Sequence, residues 1–146
     1  MRPRPFEYYA PLSLNEAVNL LHSREEAKIL AGGQSLITLM KLRLASAKML
    51  IDINRIPEFS QIRRENDVIV VGALTRHDQI ANSRLMRETC FLISEAAGVI
   101  ADQQVRNRGT IGGSLAHADP TADLPTACTA AQARVVTASV RGSRSI

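Results

Sequence analysis

Apolar positions along the chain switch between helix-like and strand-like spacing, and the changeovers fall at glycines, prolines or capping residues. In PLSLNEAVNLL, Leu14, Ala17, Val18 and Leu21 recur at helical spacing. Ser13 stands where an N-cap is expected, and Glu16 three residues later completes the pattern of a capping box. This helix should end near His22 and Ser23. AKIL is a short apolar run that reads as a buried strand leading into Gly32-Gly33. Beyond the glycines, Leu36, Leu39, Met40 and Arg43 lie at helical spacing and predict a short helix. KMLIDINRI predicts the next strand, ended by Pro57. Residues 1–57 therefore alternate β and α, which predicts a small sheet with helical cover as a first lobe.

Residues 58–146 predict a second, larger α+β lobe. Ile62 and Val68–Val71 flank the turn-forming RREND and predict a β-hairpin. TRHDQIANS and MRETCFLISEAAGVIADQQVR each read as a helix, with Leu92, Ala96, Val99 and Ile100 on one face of the longer one. RGTIGGSLAHADPTADLP breaks the periodicity with three glycines and two prolines, and predicts a long irregular loop. A small-residue helix, a strand at Val135–Val136 and a turn at Gly142 follow. A new strand is expected after Gly142, just where the sequence stops at Ile146, which gives the ending the look of a cut within a fold.

Composition narrows the function classes. An apolar share of 45% and a charged share of 22% are those of a globular chain. The net charge of +4 is compatible with anionic ligands, but the arginines are dispersed and no basic block tracks a nucleic-acid backbone. With three Phe, two Tyr and no Trp, a base-stacking platform is not expected. No apolar run is long enough for a membrane span, and MRPRPFEYYAPLS lacks the apolar core of a signal peptide. Cys90 and Cys128 lie far apart, so reduced thiols and a cytoplasmic location are expected.

Two segments carry candidate chemistry. Gly32-Gly33-Gln34-Ser35 sits at a strand-to-helix turn, where unpaired N–H groups and the helix dipole favour an anion. The alternative is a plain turn with Ser35 as N-cap. In the second segment, Gly109, Gly112 and Gly113 accompany the hydroxyls of Thr110 and Ser114, with Asp119 and Asp123 as further acceptors. Its alternative is a surface loop. Neither segment matches a Rossmann or P-loop fingerprint. Ser114, His117 and Asp119 are too crowded for a hydrolase triad, and His22, His77 and His117 have no partner at metal-ligand spacing. Two glycine–hydroxyl segments do suit a diphosphate held from two sides.

Taken together, AGGQSL and QVRNRGTIGGSLAHADPTADLP closely resemble the FAD-binding medium subunit of the molybdenum hydroxylases, the family of xanthine dehydrogenase and aerobic carbon monoxide dehydrogenase. LIDINRI, VGALTRH and FEYYAPLSLNEAVNLL add to the resemblance, which spans essentially the whole chain. It implies an α+β FAD-binding domain of the vanillyl-alcohol oxidase-like (PCMH) type, with two lobes. It implies that Ala31, Gly32, Gly33, Gln34, Ser35 and Leu36 bind the FAD diphosphate from the first lobe. Thr110, Ile111, Gly112, Gly113 and Ser114 would do so from the second, with Asp123 near the cofactor and Asp119 beside it. It implies no catalytic side chain and no metal ligand. Its implied partners are a molybdopterin-containing large subunit, which oxidises substrate, and a small subunit with two [2Fe–2S] clusters, which feeds electrons to FAD. Family members continue past GSRSI, so the resemblance also implies a chain truncated at its C-terminus, with an incomplete second lobe. The alternative function is a non-catalytic assembly module or fragment that does not bind FAD.

Overall fold

The computed structural model describes residues 2–146. They form two compact units, one of residues 2–57 with 134–146 and one of residues 58–133. The division falls after Pro57, and residues 134–146 group with the first unit.

In the first unit, strands β1 (Glu7–Tyr9), β2 (Ala27–Leu30) and β3 (Met49–Asp52) make a parallel sheet in the order β1-β3-β2. β3 is central and apolar, with Leu50 and Ile51 almost fully buried, as a strand covered on both faces requires. Helix α1 (Leu14–Ser23) follows β1, and Ser13 caps it by accepting from the Glu16 N–H. The Glu16 carboxylate accepts from the Leu12 N–H at 3.0 Å rather than from Ser13, so only half of the capping box forms. Helix α2 (Leu36–Lys41) follows β2 and buries Met40 against Ala47 and Leu50. Parallel pairing of Leu30 with Asp52 aligns the C-terminal ends of β2 and β3.

The second unit opens on the expected hairpin, β4 (Ile62–Glu65) with β5 (Val68–Val71). The single helix expected over MRETCFLISEAAGVIADQQVR is three helices. After α3 (His77–Asn82) come α4 (Arg84–Thr89), α5 (Phe91–Val99) and α6 (Gln103–Arg106). The breaks fall at Cys90 and at Ile100–Ala101, where Ile100 is extended and Ala101 has a φ of 41°, with no glycine or proline at either residue. Helices α7 (Ile111–His117) and α8 (Asp123–Ala130) complete the unit. Ile80, Met86, Ile93, Ala97, Ile111 and Leu124 form its core. Residues 134–146 form a hairpin of β6 (Val136–Ser139) and β7 (Gly142–Ser145).

Candidate functional site

The first glycine segment joins β2 to α2 at the C-terminal end of the parallel sheet, the edge where open α/β sheets place their ligands. Gly33 has φ of 77°, a conformation that costs an L-residue about 1–2 kcal/mol, so the turn itself requires glycine. A Cβ there would also press on Ile37 Cγ1 at 3.3 Å. The first helical back-bonds run from Ile37 N–H to Gly33 O, at 3.2 Å, and from Leu39 N–H to Ser35 O, at 2.9 Å. Among the described residues, the N–H groups of Gly32, Gly33, Gln34, Ser35 and Leu36 donate to no protein acceptor. Ser35 is itself helical and its side chain makes no capping bond, so the turn is not closed by an ordinary serine cap.

Side chains beyond the turn hold it from behind. Asn54 Nδ2 donates to Ala31 O at 2.8 Å and to Asp52 Oδ1 at 2.6 Å. Asp52 Oδ1 also accepts from the Asn54 N–H, and its Oδ2 accepts from the Tyr8 hydroxyl at 2.6 Å. That last bond pushes the Tyr8 pKa above its ordinary value. The strand expected over KMLIDINRI stops at Asp52 because the chain then turns into a short 3-10 helix, Ile53–Arg55, capped by Asp52.

The second segment differs from its expected form. Ile111–His117 is not an irregular loop but helix α7, capped at its start by Thr110, whose Oγ1 accepts from the Gly113 N–H at 3.1 Å. Ile111 N–H donates to Thr75 O, Gly112 N–H to Ala73 O and Ser114 N–H to Thr110 O. Four of the expected backbone donors are therefore engaged within the protein. Among the described residues, the Thr110 N–H and the Ser114 hydroxyl have no partner. Gly112 serves packing: a Cβ there would lie 2.6 Å from Ala73 Cβ and 2.7 Å from Ala73 O.

The strip Thr75–His77 braces this segment. Arg76 pairs with Thr110 as an isolated antiparallel bridge, and its Nη1 donates to Arg108 O. The His77 N–H donates to Gly109 O at 3.0 Å, and its ring lies so close to Gly109 that a Cβ would sit 2.6 Å from Nε2. His77 is buried and its Nδ1 lacks a partner among the described residues. Burial, with the Arg76 charge as a lesser cause, lowers its pKa to about 4.

The two aspartates line different grooves that adjoin at Thr126 and Ala130. Asp119 Oδ1 accepts from the Thr121 N–H and hydroxyl, bonds that lower its pKa. It lines a groove of about 510 Å³ with Leu115, Pro120 and Pro125. Asp123, the first residue of α8, lines a groove of about 370 Å³ against Leu92, Ala96 and Val99 of α5. Tyr8, Asp52, Asn54, Arg76 and His77 were not expected as supports. The signal for Arg76 and His77 was present, since polar residues close the apolar run of VGALTRH.

Residues 4–146 match the family model described as the FAD binding domain in molybdopterin dehydrogenase. The chain is 48% identical to the carbon monoxide dehydrogenase medium chain of Hydrogenophaga pseudoflava, with all of this chain and 51% of that one aligned. It is 45% identical to the 6-hydroxypseudooxynicotine dehydrogenase complex subunit alpha of Paenarthrobacter nicotinovorans, again over all of this chain and 50% of the other. Among solved structures, carbon monoxide dehydrogenase from Hydrogenophaga pseudoflava superposes with a TM-score of 0.97, at 48% identity, over all of this chain and 51% of that one. Quinoline 2-oxidoreductase from Pseudomonas putida 86 superposes with a TM-score of 0.96 at 36% identity, over all of this chain and 51% of that one. The chain thus spans about half the length of these relatives. The match along almost the full sequence and the close superposition agree: this chain belongs to the α+β family of FAD-binding domains of the molybdopterin dehydrogenases.

Proposed function

We propose that this chain contributes the diphosphate-binding part of an FAD-binding electron-transfer subunit of a molybdenum hydroxylase. The observation that carries the reading is the run of open N–H groups from Gly32 to Leu36, on a glycine turn at the C-terminal edge of a parallel sheet. Such a run fits two adjoining phosphates, because unpaired N–H groups at a helix start are ready donors to anionic oxygen. Ala31 contributes through its carbonyl, which Asn54 holds.

From the second unit, the Thr110 N–H and the Ser114 hydroxyl are the donors available to the ligand. Ile111, Gly112 and Gly113 shape that surface, through core burial, contact with Ala73 and the cap bond. Asp119 and Asp123 would accept hydrogen bonds from sugar hydroxyls. Bound FAD would supply the redox chemistry, receiving electrons from the iron–sulfur subunit and passing them to an external acceptor. The chain's own residues bind and orient; none is assigned a proton-transfer role. In this reading the partners are a molybdopterin-containing large subunit and a [2Fe–2S] small subunit, and the assembly is cytoplasmic.

The test is the visible spectrum of the purified chain after incubation with FAD and gel filtration. A retained flavin spectrum is expected; complete loss of flavin from the protein peak would contradict cofactor binding by this chain. A second reading, an assembly module without flavin, draws support from the four engaged N–H groups of Ile111–Ser114. It requires stable co-purification with both partner subunits and no flavin.

A further inference from the structure

We infer that Asn54 is a positioning residue that aims the open N–H groups of the first glycine turn, with Asp52 and Tyr8 fixing Asn54 in place. The inference rests on the diphosphate reading of that turn for its function, but its geometry stands on contacts within the first unit alone. Asn54 Nδ2 lies between Ala31 O and Asp52 Oδ1, at 2.8 and 2.6 Å. A carbonyl oxygen and a carboxylate oxygen only accept, so the amide nitrogen, with two N–H bonds, is the one end of the Asn54 amide that satisfies both. The Asp52 carboxylate is held in turn by the Tyr8 hydroxyl on Oδ2 and the Asn54 N–H on Oδ1. The amide therefore has one orientation.

That orientation reaches the turn through the next peptide. Among the described residues no peptide bond is cis, so the Ala31 C=O and the Gly32 N–H lie in one peptide plane and point in opposite directions. Tying Ala31 O to Asn54 turns the Gly32 N–H away from Asn54. Gly33, at φ of 77°, then carries the chain into α2 with the following N–H groups still open. Glycine flexibility would otherwise let this peptide rotate, and a rotated peptide would present a carbonyl oxygen where an anion needs a donor. Asn54 removes that freedom before any ligand arrives, which is preorganisation in the strict sense.

The experiment uses the whole 15N-labelled chain, with Asn54→Ala, Asn54→Asp and Tyr8→Phe, and reads the Gly32–Leu36 amide resonances before and during titration with FAD. Asn54→Ala should displace the Gly32 and Gly33 amide signals in the free protein and weaken FAD binding about tenfold, the scale of one lost hydrogen bond to an oriented carbonyl. Asn54→Asp should match it at neutral pH, because the introduced carboxylate cannot donate. On acidification it should recover toward the wild-type spectrum, since a protonated carboxyl regains one donor among its ionisable neighbours Asp52, Tyr8 and Arg55. Packing alone would give no such recovery. Tyr8→Phe deletes one exposed hydroxyl and should move the same resonances less, with FAD binding weakened roughly threefold. If Asn54→Ala unfolds the chain, Tyr8→Phe decides. Unchanged Gly32–Leu36 resonances in folded variants overturn the inference. Wild-type resonances that ignore FAD overturn the diphosphate reading instead, and the free-protein spectra still judge Asn54.

Discussion

The two glycine segments look alike as sequence and differ as structure. Both run from an extended residue through small residues into a short helix. In the first, Gly33 is required by a left-handed turn, Ser35 makes no cap bond and the N–H groups from Gly32 to Leu36 stay open. In the second, Gly112 is required by contact with Ala73, Thr110 does cap its helix and the N–H groups from Ile111 to Ser114 are engaged. The same residue type thus answers two physical demands, backbone conformation in one place and close approach of two backbones in the other. Only the first leaves a run of adjacent backbone donors open; the second leaves the Thr110 N–H and the Ser114 hydroxyl. The first segment offers a row of open donors, and the second a shaped surface with a few open polar groups.

Substitutions can break or sharpen this contrast. The largest effect is expected for Gly112→Val, which sets side-chain atoms against Ala73 backbone and should destabilise the second unit by on the order of 3 kcal/mol in urea unfolding. A similar magnitude is expected from pH at His77. Its pKa falls from 6.5 to about 4 on folding, so the unfolded chain binds the extra proton between those values. Stability therefore is undiminished above about pH 6.5 and falls as the pH drops toward 4, by up to about 3 kcal/mol. His77→Gln should flatten that slope in unfolding curves measured across the window.

Gly33→Ala should cost about 1–2 kcal/mol from its positive φ alone. Because it distorts the turn, it should weaken FAD binding more than it weakens the fold. The smallest effects form a matched pair. Thr110→Val removes a cap and should cost about 1 kcal/mol, whereas Ser35→Ala removes none and should stay within about 0.5 kcal/mol by thermal unfolding. Equal costs for the two would erase the distinction drawn between the segments.

Much of this was legible before any coordinates. Helix α1 announced itself through Ser13, Glu16 and its apolar stripe, and the β4–β5 hairpin through RREND between two apolar runs. The donors of AGGQSL were also legible, because a strand-glycine-helix junction implies unpaired N–H groups. Helix α7 was not, since Gly112 and Gly113 count against a helix by propensity, and what outweighs them is a tertiary contact with Ala73 that no local pattern encodes. The break at Ile100–Ala101 was hidden as well, since neither residue is a glycine or proline. Asn54 was masked by its setting: LIDINRI reads as one strand, while the structure ends that strand at Asp52 and turns the next residues back toward Ala31.

The most direct test of this contrast between the two segments is amide hydrogen exchange of the native chain, followed residue by residue with and without FAD. Fast exchange is expected at Gly32–Leu36 and slow exchange at Ile111–Ser114 in the free protein, with FAD slowing the first group strongly and the second little. Protection of Gly32–Leu36 without ligand, or no change there at saturating FAD, would contradict it.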